Sequence, residues 1–285
     1  MRQALVRRVS LRELFRQMVV YMLLVVLGSA FLLPFLWAVS SSLKPPGAGF
    51  KYPPEFIPTE FVWGNYARVF EMLPFLLFFR NSVFVTALSL LGELFSASLV
   101  AYSFARLRFP GREALFVVVL ATMMIPYPVT MVPTFILFKL LGLVNTYFPL
   151  ILPPWFGPAF SIFLLRQFFL TINRELDEAA KVDGASEFTI YRRIILPLSK
   201  PALATVAIFG FVFYWNDFLN PLIYLSDSNL YTLALGVNYL RSFRGGGELS
   251  IQMAGSILFV APCILLFLVA QRYMVEGIVA TGLKG

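Results

Sequence analysis

The chain contains no histidine and a single cysteine, Cys263, so the side chains that usually ligate metals or act as nucleophiles are almost missing. Chemistry is left to carboxylates, amides, hydroxyls and arginines, and these gather in a few places. The densest is RELDEAAKVDGASEFTIYRRIILPLSKP, residues 174–201, which sets Arg174, Glu175, Asp177, Glu178, Lys181 and Asp183 within ten positions. Trp215, Asn216, Asp217 and Asn220 lie inside an apolar run, and so does the isolated Glu93. Ionisable groups in such runs are costly to keep and are functional candidates by default. For Trp215–Asn220 two uses are open: lining a polar path, where amides and an indole could bind and stack on a solute, or clamping helices together. Glu93 calls equally for a buried partner such as an arginine. A polar stretch before the last apolar run carries Asn238, Tyr239, Arg241 and Arg244 beside Gly245–Gly247. It is either a docking loop or a solvated connector. Nothing here assembles a catalytic constellation, which argues against an integral membrane enzyme. No G-x-x-x-x-G-K-[ST] loop is present to bind ATP. No cofactor is expected.

The segment 174–201 has a readable local structure. Residues 174–183 are helix-prone, with Asp177 and Lys181 placed for an i,i+4 pair. A helix of about ten residues is marginal alone in water and must dock on something. Gly184 can take the positive φ of a turn, and Ser186 is placed to cap a second helix. Phe188, Tyr191, Ile195 and Leu198 fall at helical spacing and predict one apolar face. Pro197 and Pro201 mark the return to an apolar run. The expectation is a helix–turn–helix lying on a membrane surface.

The elements around it are membrane spans. Hydrophobic residues make up 59% of the chain, mean hydropathy is +0.79 and only 13% of residues are charged, against about 25% in soluble domains. Apolar runs of roughly 20 residues, the length needed to cross hydrocarbon, occur at about 18–39, 82–104, 114–138, 148–169, 202–225 and 253–273. The first is longer than the apolar part of a signal peptide and no small-residue cleavage site follows it, so it is expected to be retained. Prolines 126, 128 and 133 in the third run, and 149, 153, 154 and 158 in the fourth, predict either helices broken beside a pathway or ordinary kinks. Cys263, in the sixth, is expected to be a small buried residue. The net charge of +8 is spread over the run ends and forms no continuous patch, and no nucleic-acid motif is visible. With the N-terminus inside, only Lys44, Lys51, Arg68, Arg80, Lys139, Arg241 and Arg244 fall outside, leaving the other 16 of 23 basic residues in the cytoplasm. The expected fold is therefore all-α and polytopic, with six transmembrane helices, both termini cytoplasmic, and the segment 174–201 in the cytoplasm between helices 4 and 5. The expected divisions are a cytoplasmic start at 1–17, the first span and an external Pro-rich connector at 18–81, a five-helix core at 82–273 and a cytoplasmic tail at 274–285.

The pattern Glu178-Ala179-Ala180, three residues, Gly184, nine residues, then Ile194-x-Leu196-Pro197 resembles the EAA loop of ABC importer permeases. AYSFARLRFPGRE from Ala101, the proline-rich stretch Met123–Pro153, the WND at Trp215–Asp217 and the C-terminal QRYMVEGIVATGLKG resemble the carbohydrate, maltose G-type, class of that family. The resemblance spans about 78–285. It implies a transport subunit with no catalysis of its own, and a cytoplasmic coupling helix that uses Glu178, Ala179, Ala180, Asp183, Gly184, Ile194, Leu196 and Pro197 to sit in a cleft of an ATPase. It implies as partners a second homologous permease, two copies of the ATPase, an external sugar-binding protein met by Asn238, Tyr239, Arg241 and Arg244, and a substrate near Trp215, Asn216, Asp217 and Asn220 that is a di- or oligosaccharide or a related polyol or glycerol phosphate. A permease for a non-sugar solute is the alternative. A secondary transporter would carry an internal repeat, and none is visible.

Overall fold

The computed structural model describes residues 11–48, 55–242 and 248–282, with side-chain surroundings described for 12–48, 55–240 and 248–271. Among these residues every regular element is helical. The chain divides into two units, one within Met1–Glu71 and Leu240–Ile257, the other within Met72–Tyr239 and Leu258–Gly285.

In the first unit, α1 (Leu11–Ser42) is apolar on all sides, and its most apolar 18-residue window has none of its residues buried. A helix greasy all round and uncovered by protein is suited to lipid. The chain then folds back through α2 (Gly64–Met72). Asn65, fully buried, donates from Nδ2 to the carbonyls of Ser42 and Lys44, both at 2.9 Å, and so satisfies acceptors left open at the end of α1. Lys44 lies over the Trp37 ring at 3.9 Å. Among its described residues the connector after the first run thus contains the short helix α2, as its prolines allow.

The second unit is built on α3 (Phe75–Arg106), 32 residues long. It starts well before the expected position near 82. Polar residues near that position are used inside the protein: Asn81 Nδ2 donates to the carbonyls of Asn229 and Tyr231, and the Ser82 hydroxyl accepts from the Leu233 amide at 2.7 Å. Ala97, Ala101 and Ala105 recur every fourth residue and are fully buried. This small-residue stripe lets α3 approach its neighbours closely, as membrane helix packing requires. Leu165 and Phe169 of α7 (Ala159–Thr171) and Val206 of α11 (Lys200–Trp215) join the same core.

The proline-bearing runs resolve in favour of broken helices. The third is α4 (Arg112–Thr122) and α5 (Tyr127–Leu140), bent by 95° at the residues before Tyr127. Before α7 the fourth run is only a short α6 (Phe148–Ile151) and a 3₁₀ turn at Pro153–Phe156. The Ser89 hydroxyl donates to the Leu150 carbonyl at 3.2 Å and that of Ser96 to the Pro154 carbonyl at 3.1 Å. Side chains of α3 therefore partner carbonyls of the broken segment, the condition for irregular backbone at membrane depth.

Residues 174–201 form α8 (Glu175–Val182), α9 (Glu187–Ile190), a π-turn at Tyr191–Ile195 and α10 (Leu196–Leu198), then bend by 77° into α11. The expected fifth span, 202–225, is not one helix. It stops at Trp215 and resumes as α12 (Leu219–Tyr224). Beyond it lie α13 (Leu233–Ser242) and α14 (Leu249–Gly282). Four helical segments are long and apolar enough to cross a membrane, and up to six if each bent pair counts as one.

Candidate functional site: a carboxylate-bearing cavity and a pinned helical hairpin

A cavity of about 900 Å³ opens within the second unit. Tyr127, Thr130 and Thr134 of α5 follow i, i+3, i+7 spacing and line one side. Pro149, Pro153, Pro154 and Pro158 of the broken fourth run, Phe209, Phe213 and Tyr214 of α11, and Asp217 and Asn220 complete much of the wall. Asp217 sits where α11 has ended, and its two oxygens accept from the Asn220 backbone amide at 3.1 Å and the Asn220 side-chain amide at 2.9 Å. Lying just before the Phe218 N-cap position, it binds an amide in the first turn of α12 and so favours a fresh start of helix after Trp215-Asn216. The Tyr127 hydroxyl donates to Asn220 Oδ1. Asn220 thus ties α12 to α5, and both Asp217 and Asn220 line the cavity.

Trp215 and Asn216 do not belong to the lining. The Trp215 indole is 2% exposed, stacks between Phe211 and Phe259, and donates from Nε1 to the Phe259 carbonyl at 3.0 Å. Its partners are thus all aromatic or backbone, and it fastens α11 to α14. Asn216 donates back to the Val212 carbonyl at 2.7 Å, with Cys263 Sγ at 4.0 Å. Cys263 is only half-buried, because it lies on an α14 face that its neighbours leave partly open.

Glu93 is the least expected member of the lining. It is 5% exposed, and its partner is no arginine: Oε1 accepts from the Ser161 hydroxyl. Oε2 is buried without a hydrogen bond among the described residues, and the Tyr214 phenol stands beside the same carboxyl. A Cβ added at Gly210 would lie 2.5 Å from Oε2, so glycine at that point of α11 makes room for the carboxylate. The hydroxyls of α5 and Ser161 escaped the sequence reading. Their only signal there is the spacing of Tyr127, Thr130 and Thr134 in an otherwise apolar run.

The hairpin at 174–201 is the other candidate site. Three acids in the first turn of α8 complement its dipole, and the Asn173 side chain accepts from the Glu175 amide at 3.1 Å. Gly184 has φ of +80°, and the Ala185 amide donates to the Ala180 carbonyl at 2.9 Å, closing a Schellman turn. Ser186 accepts from the Thr189 amide at 3.3 Å, as its capping position predicts. The expected Asp177–Lys181 pair does not form. Asp177 is buried and pairs with Arg106 at the end of α3, 3.3 Å away, while Lys181 pairs with Glu187 at 2.6 Å. Tertiary partners with better geometry take both charges. Burial pushes the Asp177 carboxyl above its ordinary range, and the Arg106 guanidinium pulls it part of the way back. Arg106 also donates to the Ile172 carbonyl at 2.9 Å, the Tyr102 hydroxyl to Glu187 Oε2 at 2.8 Å, and the Ser98 and Tyr191 hydroxyls are bonded at 2.8 Å. The hairpin is held by α3 as well as by its junction with α11.

Its apolar face also differs from expectation. Ile190, Tyr191 and Ile195 are buried, whereas Phe188 is 62% and Leu198 48% exposed. The π-turn inserts a residue into the helical repeat and rotates Leu198 off the face. Ala180, Ile194 and Leu196 are half-buried against the core. Glu178, Ala179, Asp183, Gly184 and Pro197 are exposed, joined by Leu176 and by Val182, which is 89% exposed. The sequence reading passed over those two hydrophobic residues.

Of the loop candidates, Asn238 and Tyr239 are exposed on α13, and the Tyr239 ring stacks on Tyr231 with centroids 5.5 Å apart. Arg244 lies outside the described residues, as does the Arg241 side chain.

Known proteins resemble this arrangement along most of the chain. The solved structure titled "Crystal structure of a bacterial ABC transporter involved in the import of the acidic polysaccharide alginate" superposes with a TM-score of 0.79 at 24% identity, covering 93% of this chain and 98% of that one, which shows a shared fold. The arabinooligosaccharides transport system permease protein AraQ of Halalkalibacterium halodurans is 36% identical over 231 residues, 81% of this chain and 82% of its own. The sn-glycerol-3-phosphate transport system permease protein UgpE of Pectobacterium atrosepticum is 36% identical over 238 residues, 81% and 84% of the two chains. Residues 93–279, which hold the cavity lining from Glu93 onward and the whole hairpin, match the family described as "Binding-protein-dependent transport system inner membrane component". The chain belongs to that family, and is a multi-pass membrane transport subunit.

Proposed function

We propose that this chain is one of two permease subunits of an ATP-driven sugar importer, crossing the membrane six times with both termini in the cytoplasm. The six spans count each bent pair once, and the excess of basic residues on one side of that layout supports the orientation. Residues 1–17 and 274–285 are then cytoplasmic, 18–81 hold the first span and its external connector, and 82–273 hold the transport core. The cavity is this subunit's half of the pathway, and a second, homologous permease supplies the other half. Asp217 and Asn220 face the solute, with Glu93 and the hydroxyls of α5. Asn238, Tyr239, Arg241 and Arg244 face the external sugar-binding protein.

The observation that carries this reading is the hairpin. A short polar helix, fixed to α3 by a buried ion pair, turns Leu176, Glu178, Ala179, Val182 and Asp183 away from the protein. An exposed apolar–acidic face on so short a helix is suited to a groove on another subunit. We assign that groove to one of two copies of a cytoplasmic ATPase. Movement of the groove would pull α8 and be passed to α3 through Arg106–Asp177 and to α11 through Pro197.

The test is the full complex purified with its ATPase and placed in vesicles. Gly184→Pro demands a φ near −65° where the turn needs +80°. It is expected to abolish ATP-driven uptake while the chain still inserts, with binding-protein-stimulated hydrolysis lost or uncoupled from uptake. Uptake and stimulated hydrolysis both equal to those of the parent would exclude α8 as the coupling helix.

A further inference from the structure

The names of relatives do not settle the charge of the solute, since they include a neutral oligosaccharide system and a phosphate ester system. The cavity carries information on this point. Among the described residues its lining contains two carboxyl groups, Glu93 and Asp217, and no lysine or arginine. We propose that this subunit's half of the pathway is built for neutral polyhydroxylated solutes and rejects anionic ones such as uronic acid oligomers and sugar or polyol phosphates. The inference rests on the permease reading above.

The physical ground is desolvation. An anion moved from water into a largely apolar cavity needs a cation or a set of strong donors to offset its lost hydration. Here the fixed charges are of the wrong sign if ionised and contribute no positive charge if protonated. A neutral sugar meets a suitable surface. Glu93 brings to this lining a carboxyl whose Oε1 accepts from the Ser161 hydroxyl and beside which the Tyr214 phenol stands, so the wall offers hydroxyl and carboxyl groups to a solute hydroxyl. Thr130 and Asn220 offer further hydroxyl and amide groups, and Phe209 and Phe213 present apolar surface to the carbon faces of a sugar ring.

The experiment uses the complete transporter in detergent, without its binding protein, so that only the membrane cavity selects. Equilibrium binding of radiolabelled arabinotriose, galactotriose and maltotriose is compared with that of trigalacturonate and sn-glycerol 3-phosphate. At least one neutral trisaccharide is expected to bind more tightly than either anion by about tenfold or more, ~1.4 kcal/mol. Glu93→Gln is expected to weaken neutral binding, and Thr130→Lys, which places a cation in the lining, to raise trigalacturonate binding relative to the neutral sugars. Equal or tighter binding of the anions, binding of no neutral sugar, or a preference unmoved by both variants would overturn the proposal. ATP hydrolysis stimulated by the binding protein is recorded on the same preparation. If it persists when the sugar preference fails, the permease reading stands and only the inference falls; a chain that isolates with no ATPase removes the permease reading itself.

Discussion

Arg106→Ala is expected to be the most damaging single substitution in the transport core. It leaves the Asp177 carboxylate, 8% exposed, without its cation and frees the Ile172 carbonyl that Arg106 Nη2 binds at 2.9 Å. Breaking a buried ion pair from one side costs about 3–5 kcal/mol, because the remaining charge stays desolvated. The pair joins the hairpin to the end of α3, so the loss falls on the docking of α8. The check is twofold. Thermal unfolding of the detergent-solubilised chain should shift to lower temperature, and limited proteolysis should cut between α7 and α9 faster than in the parent. Arg106→Ala combined with Asp177→Ala should be less destabilised than the single change, since no charge is then stranded. If the single variant unfolds like the parent, or the double variant is worse than the sum of the singles, the pair does not hold the hairpin.

Gly92→Ala is the second large effect, and it acts at the broken fourth run. A Cβ on Gly92 would lie 2.3 Å from Cδ1 and Nε1 of Trp155 and 2.5 Å from its Cγ, closer than any packed side chain tolerates. The indole must move, and with it the 3₁₀ turn at Pro153–Phe156 whose prolines line the cavity. Overpacking of this kind costs about 1–3 kcal/mol. Trp155 is 43% exposed and also meets Phe95 at 6.3 Å between ring centroids, so the ring has room to leave at the expense of that contact. The expected outcome is lowered stability and impaired uptake for Gly92→Ala, with both largely restored when Trp155→Ala removes the obstructing ring. Restoration by the second change separates a steric cause from a loss of glycine flexibility, which Trp155→Ala could not repair.

What could be read along the chain was what depends on near neighbours. The Gly184 turn and the Ser186 cap are set by residues within a few positions of each other, and the structure reproduces them, while of the apolar runs four form helical segments long enough to cross a membrane. The hairpin pattern was equally legible, because its spacing is local. Pairings between distant residues were not. Asp177 and Lys181 have the right spacing for each other, yet each finds a partner elsewhere, Arg106 and Glu187, once α3 and α9 are packed against α8. The same holds for Glu93, whose partner Ser161 lies on α7, and for Asn81 and Ser82, whose partners lie in the chain at 229–233.

The prolines of the third and fourth runs show where the division falls. Their positions were visible, and they fix where backbone donors are lost. Whether those losses kink a helix or break it depends on what supplies replacement partners, and in the fourth run the supply comes from Ser89 and Ser96 of α3. The sequence alone determined a polytopic all-helical transport subunit with a polar hairpin, because hydropathy, turn chemistry and motif spacing are carried by consecutive residues. The tertiary structure decided which face of the hairpin is exposed, which Trp215–Asn220 side chains meet the cavity, and that its two carboxyl groups share a wall with no cation among the described residues, because those facts arise only when α3, α5, α7 and α11 are brought together.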